Sequence, residues 1–115
     1  ADYLKIPGAD RAPPFLTGGA VTRNHARQGE TVTYQAVYRD LRGKPPGKIQ
    51  VVIDGQACNM KKTIGNNHAR GVVYTYQTDL TGDVRGFHFV AANEIGQRRI
   101  PCRAEYPGPF IVEDE

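Results

Sequence analysis

Apolar and polar residues alternate with a period of two along much of the chain. The clearest stretch runs from Thr31 to Tyr38, where every second residue is apolar or aromatic: Val32, Tyr34, Ala36 and Tyr38. Successive side chains of a strand point to opposite faces, so this spacing predicts a strand with one buried face rich in aromatic residues. The stretch 72–78 repeats the pattern with Val72, Tyr74 and Tyr76.

Further strand-like runs recur at short intervals between turn signals. They cover residues 15–17, 48–54, 56–62, 86–92, 97–105 and 110–112. Gly18-Gly19 breaks the first run, and Asp54-Gly55 predicts a hairpin that pairs 48–54 with 56–62. Pro101 confines the run 97–105 to a sheet edge or a bulge. About seven or eight short strands, with no helical spacing, are typical of an all-β sandwich of two antiparallel sheets.

The length of 115 residues fits one domain. Residues 15–112 contain the strand signals and form the predicted sandwich. Residues 1–14 contain four prolines and glycines and only one small apolar cluster, so they are predicted to be an extended N-terminal tail or a donor strand. Residues 113–115 form an acidic C-terminal end.

Charge and hydropathy exclude several classes of protein. The formal net charge is +3, but the basic residues are scattered, which argues against nucleic acid as a partner. The apolar runs are too short for a membrane span. The chain begins at Ala1 instead of Met, as expected of a mature secreted protein without its leader, although a start chosen for expression gives the same residue.

The chain has two cysteines, Cys58 and Cys102. An even number in a small β-rich chain predicts one disulfide and an oxidising compartment. Two buried, unpaired thiols are the alternative, since free cysteine is common in protein cores. Neither cysteine has a second Cys or His at the spacing of zinc ligands, so no metal is predicted.

Several of these motifs resemble an immunoglobulin-like repeat found in secreted and surface proteins of bacteria and archaea. The first half of that repeat has Y-x-D, a Gly-rich turn, Pro, a strand ending in I-D-G, and Met. The matching positions are Tyr38 and Asp40, Gly43, Pro45, residues 51–55 and Met60. The second half matches at Tyr74, Tyr76, Gly82, Phe87, Phe89 and Ala91. The resemblance covers 15–112 and implies an immunoglobulin-like sandwich and a secreted or cell-surface location.

The chain departs from the repeat at one turn. The repeat often has the acidic sequence D-A-D-G-D, whereas this chain has Asp40-Leu41-Arg42-Gly43-Lys44. A hard cation needs several oxygen ligands, so calcium is not expected there, and no cofactor is predicted. The two cysteines are not part of the repeat either.

The residues available for catalysis are few, and the chain is not predicted to be an enzyme. His25 and His68 lie in loop-like segments and His88 on the outer face of a strand, so all three are predicted to be exposed. Asp79 and Asp83 flank a turn and are interpreted as turn caps instead of paired acids. No motif of a nucleophile, a phosphate loop or a metal site occurs.

The leading functional hypothesis is a structural subunit that assembles outside the cell. In the tail, Tyr3, Leu4 and Ile6 precede Pro13-Pro14 and could add a strand to the open sheet edge of a second copy, building a filament. Partner contacts are also predicted at Phe15, Tyr106 and Phe110. The alternative for the tail is that it folds back on its own domain.

A ligand- or protein-binding adhesion module of a surface protein is the alternative function. Its binding residues would lie in end loops such as 23–29, 63–71 and 93–98. A carbohydrate site is disfavoured because the chain has no tryptophan. An enzyme or an enzyme's accessory domain is the third hypothesis.

Overall fold

The computed structural model describes residues 13–112, and all regular structure within that range is β-strand. The strands in chain order are β1 (Phe15–Val21), β2 (His25–Ala26), β3 (Thr31–Arg39), β4 (Lys48–Ile53), β5 (Gln56–Asn59), β6 (Lys61–Ile64), β7 (Val72–Asp79), β8 (Phe87–Ala92), β9 (Gln97–Ile100) and β10 (Phe110–Ile111). The predicted all-β class is confirmed. No helix in this part of the chain could cross a membrane.

Two four-stranded antiparallel sheets face each other. One has the order β1-β3-β7-β6 and the other β5-β4-β8-β9, while β10 pairs with β2 in parallel. The register follows the predicted alternation, since Val32, Tyr34 and Ala36 pair with Thr78, Tyr76 and Tyr74 of β7. The predicted sandwich is therefore confirmed.

The core lies between the sheets. Tyr34, Tyr38 and Phe89 are its largest fully buried side chains, and Phe87 packs edge to face on Tyr34 with ring centroids 5.0 Å apart. Offset and edge-on pairs of this kind stabilise beyond the apolar area they bury. Aromatic rings therefore form the centre of the interior, as the sequence predicts.

Three strand predictions need correction. Gly18 and Gly19 do not end β1 but form a bulge within it, where the register against β3 shifts. The run 56–62 is two strands, because the chain leaves the β4 sheet at Met60 and β6 joins β7 instead. The run 97–105 is a strand only to Ile100, at the edge of its sheet, which agrees with the role expected of Pro101.

The motif residues Asp40 and Asp54 hold turns together. Asp40 is buried, and its carboxylate accepts hydrogen bonds from the Arg42 backbone N–H at 2.8 Å and the Asn93 side chain at 3.3 Å. Asp54 and Gly55 both have positive φ and form the predicted hairpin turn. Asp54 also accepts the backbone N–H groups of Arg85 and Gly86, which ties this turn to the loop before β8.

The predicted end of the tail, at residue 14, lies close to residue 13, the first residue that the structure describes. Pro14, the last residue of the predicted tail, is fully buried, and a side chain at Gly96 would lie 3.2 Å from Pro13. The other residues of that tail, 1–12, and the acidic end 113–115 lie outside the described residues, so the predicted division into segments stays a prediction.

Candidate binding groove

The crossover at Met60 leaves part of each sheet edge uncovered on one side of the sandwich. β5 covers β4 from Gln50 to Ile53, but β6 covers β7 only from Val73 to Thr75. Residues 76–79 of β7 therefore have no described strand on their outer side. Between this part of β7 and β5 lies an open cavity of about 440 Å³, which we call the groove.

The groove has an apolar wall and a polar mouth. Ile53, Leu80 and Val84 contribute the aliphatic surface. The other lining residues are mostly polar: Tyr34, Asp54, Gln56, Cys58, Tyr76, Thr78, Asp79, Thr81, Gly82 and Asp83. The volume of the groove lies within the range of about 300–1,000 Å³ that is usual for binding sites, although its lining is more polar than usual.

The phenol of Tyr34 is a buried polar group at the groove that lacks a described hydrogen-bond partner. Its side chain is fully buried, and its hydroxyl has no hydrogen-bond partner in the part of the chain that the structure describes. Burial, followed by the charge of Asp54 and the nearby Cys58 and Tyr76, raises the pKa of Tyr34 to about 12. All three neighbours line the groove, so the hydroxyl lies on the groove side of the ring. It is neutral at physiological pH and can donate or accept a hydrogen bond.

Three aspartates stand at the groove without a cation. Asp79 Oδ1 accepts the Thr31 hydroxyl at 2.8 Å, and Asp83 Oδ1 accepts the Ile111 backbone N–H at 2.6 Å. Asp54 uses Oδ1 in the same way at the hairpin turn. Within residues 13–112, none of the three forms an ion pair, and no Lys, Arg or His lines the groove. The prediction that Asp79 and Asp83 cap the turn between them is wrong, because the carboxylate of Asp79 accepts from Thr31 on β3 and that of Asp83 from Ile111 on β10. Both carboxylates also make the groove acidic.

The predicted disulfide is absent: Cys58 and Cys102 are both free. Cys58 lies on β5 at one edge of the four-stranded sheet, and Cys102 follows β9 at the other edge. Neighbouring strands are about 4.8 Å apart, so three intervals separate the cysteines by about 14 Å. Cysteines more than about 7 Å apart between Cα atoms cannot be bridged. Cys58 instead lines the groove beside Tyr76, and this contact, with some burial, raises the pKa of that phenol.

The predicted partner contacts do not converge on the groove. Phe15 is 41% exposed on β1, with the Arg39 guanidinium 5.7 Å from its ring centroid. Tyr106 packs on Phe87, with ring centroids 5.3 Å apart, and is half-buried against its own domain. Phe110 lies in β10 near His25, and Tyr3, Leu4 and Ile6 lie outside the described residues. Their assignment as partner contacts stays a prediction.

The histidines differ from the exposed set that the sequence predicts. His68 is buried, and its Nε2 lies 2.9 Å from the Tyr74 hydroxyl. Burial first, and then the charge of Lys62, lowers the pKa of His68, while Asp40 opposes the shift. His88 is half-buried beside Glu105 at 2.7 Å. Only His25 is exposed, and nothing in the described part places a histidine at the groove.

The predicted binding loops do not form one surface. Residues 63–71 and 93–98 lie at one end of the sandwich together with the turn 40–47, whereas 23–29 lie at the opposite end, as the strand pairings require. A smaller cavity of about 250 Å³ lies between the turns at the first end. There Glu94 accepts from Lys44 at 3.3 Å, so this surface already pairs its charges. Within residues 13–112, no cluster of three His, Cys, Asp or Glu residues could hold a metal ion.

Comparisons with known proteins bear on the fold alone. No family model matches the chain, and no curated protein matches it. Among solved structures, it is similar to the crystal structure of Down Syndrome Cell Adhesion Molecule (DSCAM) isoform 1.30.30, N-terminal eight Ig domains, with a TM-score of 0.55 at 16% identity. The fold is immunoglobulin-like. The similar region covers 75% of this chain and 11% of that one.

Proposed function

We propose that this chain is a non-enzymatic protein-binding module of a surface or extracellular protein, and that the groove is where it meets its partner. The observation that carries the proposal is the edge of β7 at residues 76–79, which no described strand covers. It lies beside a cavity lined by the Tyr34 hydroxyl and three aspartates. A sheet edge presents backbone N–H and C=O groups that an extended segment of another chain can pair with. The cavity adds a place for one of that segment's side chains.

Two further observations support an adhesion role. The solved structure with a similar fold is described as a cell adhesion molecule built of Ig domains. The sequence resemblance to repeats of secreted and surface proteins points the same way. Cys58 and Cys102 are both free, so the cysteines give no support for an oxidising compartment. The extracellular location is proposed on the resemblance and the fold.

An NMR titration tests the proposal without knowledge of the natural partner. The probes are three heptapeptides, Thr-Val-Thr-X-Thr-Val-Thr, in which X is Arg, Gln or Glu. We expect at least one of them to shift the backbone amide signals of residues 56–59 and 76–79. A Gly82→Trp variant should reduce those shifts, since a side chain at Gly82 meets no atom within 4 Å and would fill the mouth of the groove. Shifts confined to 40–47 and 93–96, or no shifts, would contradict the proposal.

Self-association is a second candidate, favoured by the same uncovered edge. The predicted donor segment with Tyr3, Leu4 and Ile6 would add beside β7 of a second copy, and repetition of this contact would build a filament. Sedimentation velocity of the full chain and of a variant without residues 1–12 tests it. Assemblies of the full chain that disappear in the shortened variant would support strand addition, while a monomer in both cases would exclude it.

A further inference from the structure

We propose that the groove is specific for a lysine or arginine side chain carried by an extended segment of a protein partner. The inference rests on the proposed function and adds the chemistry of the residue that is recognised. Three properties of the groove carry it: an acidic mouth without a cation, an aliphatic wall, and the unpartnered Tyr34 hydroxyl.

The charge at the groove is opposite to that of the whole chain. The chain has a formal net charge of +3, yet the described residues that line the groove include three aspartates and no basic residue. Elsewhere in the described part, Glu30, Glu94 and Glu105 each pair with Arg, Lys or His. Of the acidic residues that the structure describes, only Asp54, Asp79 and Asp83 have no ion-pair partner, and the hydrogen bonds given for them use Oδ1 and leave Oδ2 for a cation.

The shape of the groove fits a long basic side chain. Lys and Arg have an aliphatic stem and a cationic head, and they bury the stem along apolar surface while the head reaches polar groups. Ile53, Leu80 and Val84 provide the apolar surface, and the aspartates at the mouth provide the acceptors. The neutral Tyr34 phenol can accept one N–H from the head, which would satisfy a buried oxygen that otherwise lacks a partner.

A metal ion fits the same groove less well. Each aspartate already uses Oδ1 for a protein hydrogen bond, and no three acidic, His or Cys groups of the described residues approach closely enough to share an ion. A guanidinium or ammonium group needs only hydrogen-bond distances to carboxylates that stand apart. Organic cations are therefore the class that the geometry favours.

The three heptapeptides separate this inference from the proposed function. We expect the Arg peptide to bind at least about tenfold more tightly than the Gln peptide, the Glu peptide to bind least, and the Arg affinity to fall with salt. If the Gln peptide binds the groove as tightly as the Arg peptide, the inference is overturned and the proposed function stands. If none of the peptides binds there, both are overturned.

Matched variants locate the recognition. Asp79→Asn and Asp83→Asn keep the oxygen that accepts each protein hydrogen bond, so the fold is retained while the charge is removed. Their combination should weaken the Arg peptide about tenfold and leave the Gln peptide unchanged, and Tyr34→Phe should weaken the Arg peptide several-fold. Glu94→Gln, at the opposite end, removes one charge as a control. An equal loss of Arg-peptide affinity in Glu94→Gln would overturn the inference, because general charge would then explain the binding.

Discussion

The two long sides of the sandwich are built differently. On one side, β1 contacts β8 and β9 of the opposite sheet, and Gly19 permits this approach, since a Cβ there would lie 2.9 Å from the Phe89 ring and 3.0 Å from Ile100. We call this the closed side. On the other side, which we call the open side, the crossover at Met60 leaves the groove between β5 and β7. The two sides share one core but differ in whether side chains fill the gap between the sheets.

The closed side is built for stability, whereas the open side offers groups for binding. The closed side joins its sheets where Gly19 lies against the fully buried Phe89 ring and Ile100. Among the described residues, the open side keeps a buried Tyr34 hydroxyl without a hydrogen-bond partner and three carboxylates without an ion-pair partner. Changes on the closed side should therefore affect the free energy of unfolding, while changes on the open side should affect ligand binding.

The largest effect is expected for Phe89→Ala on the closed side. Removing a fully buried phenylalanine ring forfeits its transfer free energy and leaves a cavity, at a cost of about 3–5 kcal/mol. Tyr76→Ala on the open side should cost less than half of that, because its ring is only half-buried beside the groove. Urea unfolding followed by circular dichroism measures both. Equal losses would show that the open side is packed as tightly as the closed side.

A pair of glycine variants compares the two sides directly. Gly19→Ala should lower the free energy of unfolding by about 1–3 kcal/mol, because the added methyl group overlaps the Phe89 ring. Gly82→Ala, at the groove, should change it by less than about 0.5 kcal/mol, since nothing lies within 4 Å of the new Cβ. Denaturant midpoints of both variants give the comparison. If Gly19→Ala left the free energy of unfolding unchanged, β1 would have to lie further from Phe89 and Ile100 than the structure shows.

The core and the β4–β5 hairpin were more predictable from the sequence than the groove. Alternation along 31–38 and 86–92 identified Tyr34, Tyr38 and Phe89 as core residues, because burial imposes a period of two on any strand with one covered face. Asp54-Gly55 identified the hairpin between β4 and β5, since only certain residues adopt positive φ there.

The groove left no comparable signal, because it arises from a change of sheet within 56–62. Residues 61–64 are all exposed, and Lys61-Lys62 in place of an apolar position was the one hint that this run does not continue beside β4. The acidic mouth was hidden as well. Asp54 lies 25 residues before Asp79 in sequence, and it meets Asp79 and Asp83 only when both sheets are placed. The prediction of a disulfide was wrong because sequence spacing does not show which sheet edge a cysteine occupies.

Alkaline pH probes the buried phenol of the open side. Tyr34 has its pKa raised from 10.0 to about 12, so above pH 10 the unfolded chain loses this proton while the folded chain keeps it. Stability that is fully present below pH 10 is therefore lost as the pH rises toward 12, at up to about 1.4 kcal/mol per pH unit for one such group. Urea unfolding between pH 8 and pH 11.5, buffered at constant ionic strength, should show this fall.

Tyr34→Phe supplies the control for the alkaline effect. The variant should lose stability less steeply above pH 10, with the remaining slope due in part to Tyr38, whose pKa burial and Asp40 also raise to about 12. At neutral pH the variant should equal the parent or exceed it by up to about 1 kcal/mol, because a buried hydroxyl without a partner is removed. A marked loss at neutral pH would indicate that Tyr34 has a hydrogen-bond partner inside the protein.

The smallest effect is expected for Cys58→Ser, which tests whether the open side is held by a covalent link. Both thiols are free and stand at opposite edges of one sheet, so the half-buried Cys58 should be replaceable at a cost of less than about 0.5 kcal/mol. Loss of a native disulfide would instead cost about 2–5 kcal/mol. Thiol titration of the denatured parent, without reductant, should give two reactive groups per chain, with the exposed Cys102 reacting first in the folded protein. A titration that finds none, together with a large loss in Cys58→Ser, would show that the two sheet edges are linked, and a groove bordered by a free β5 could not then exist as described.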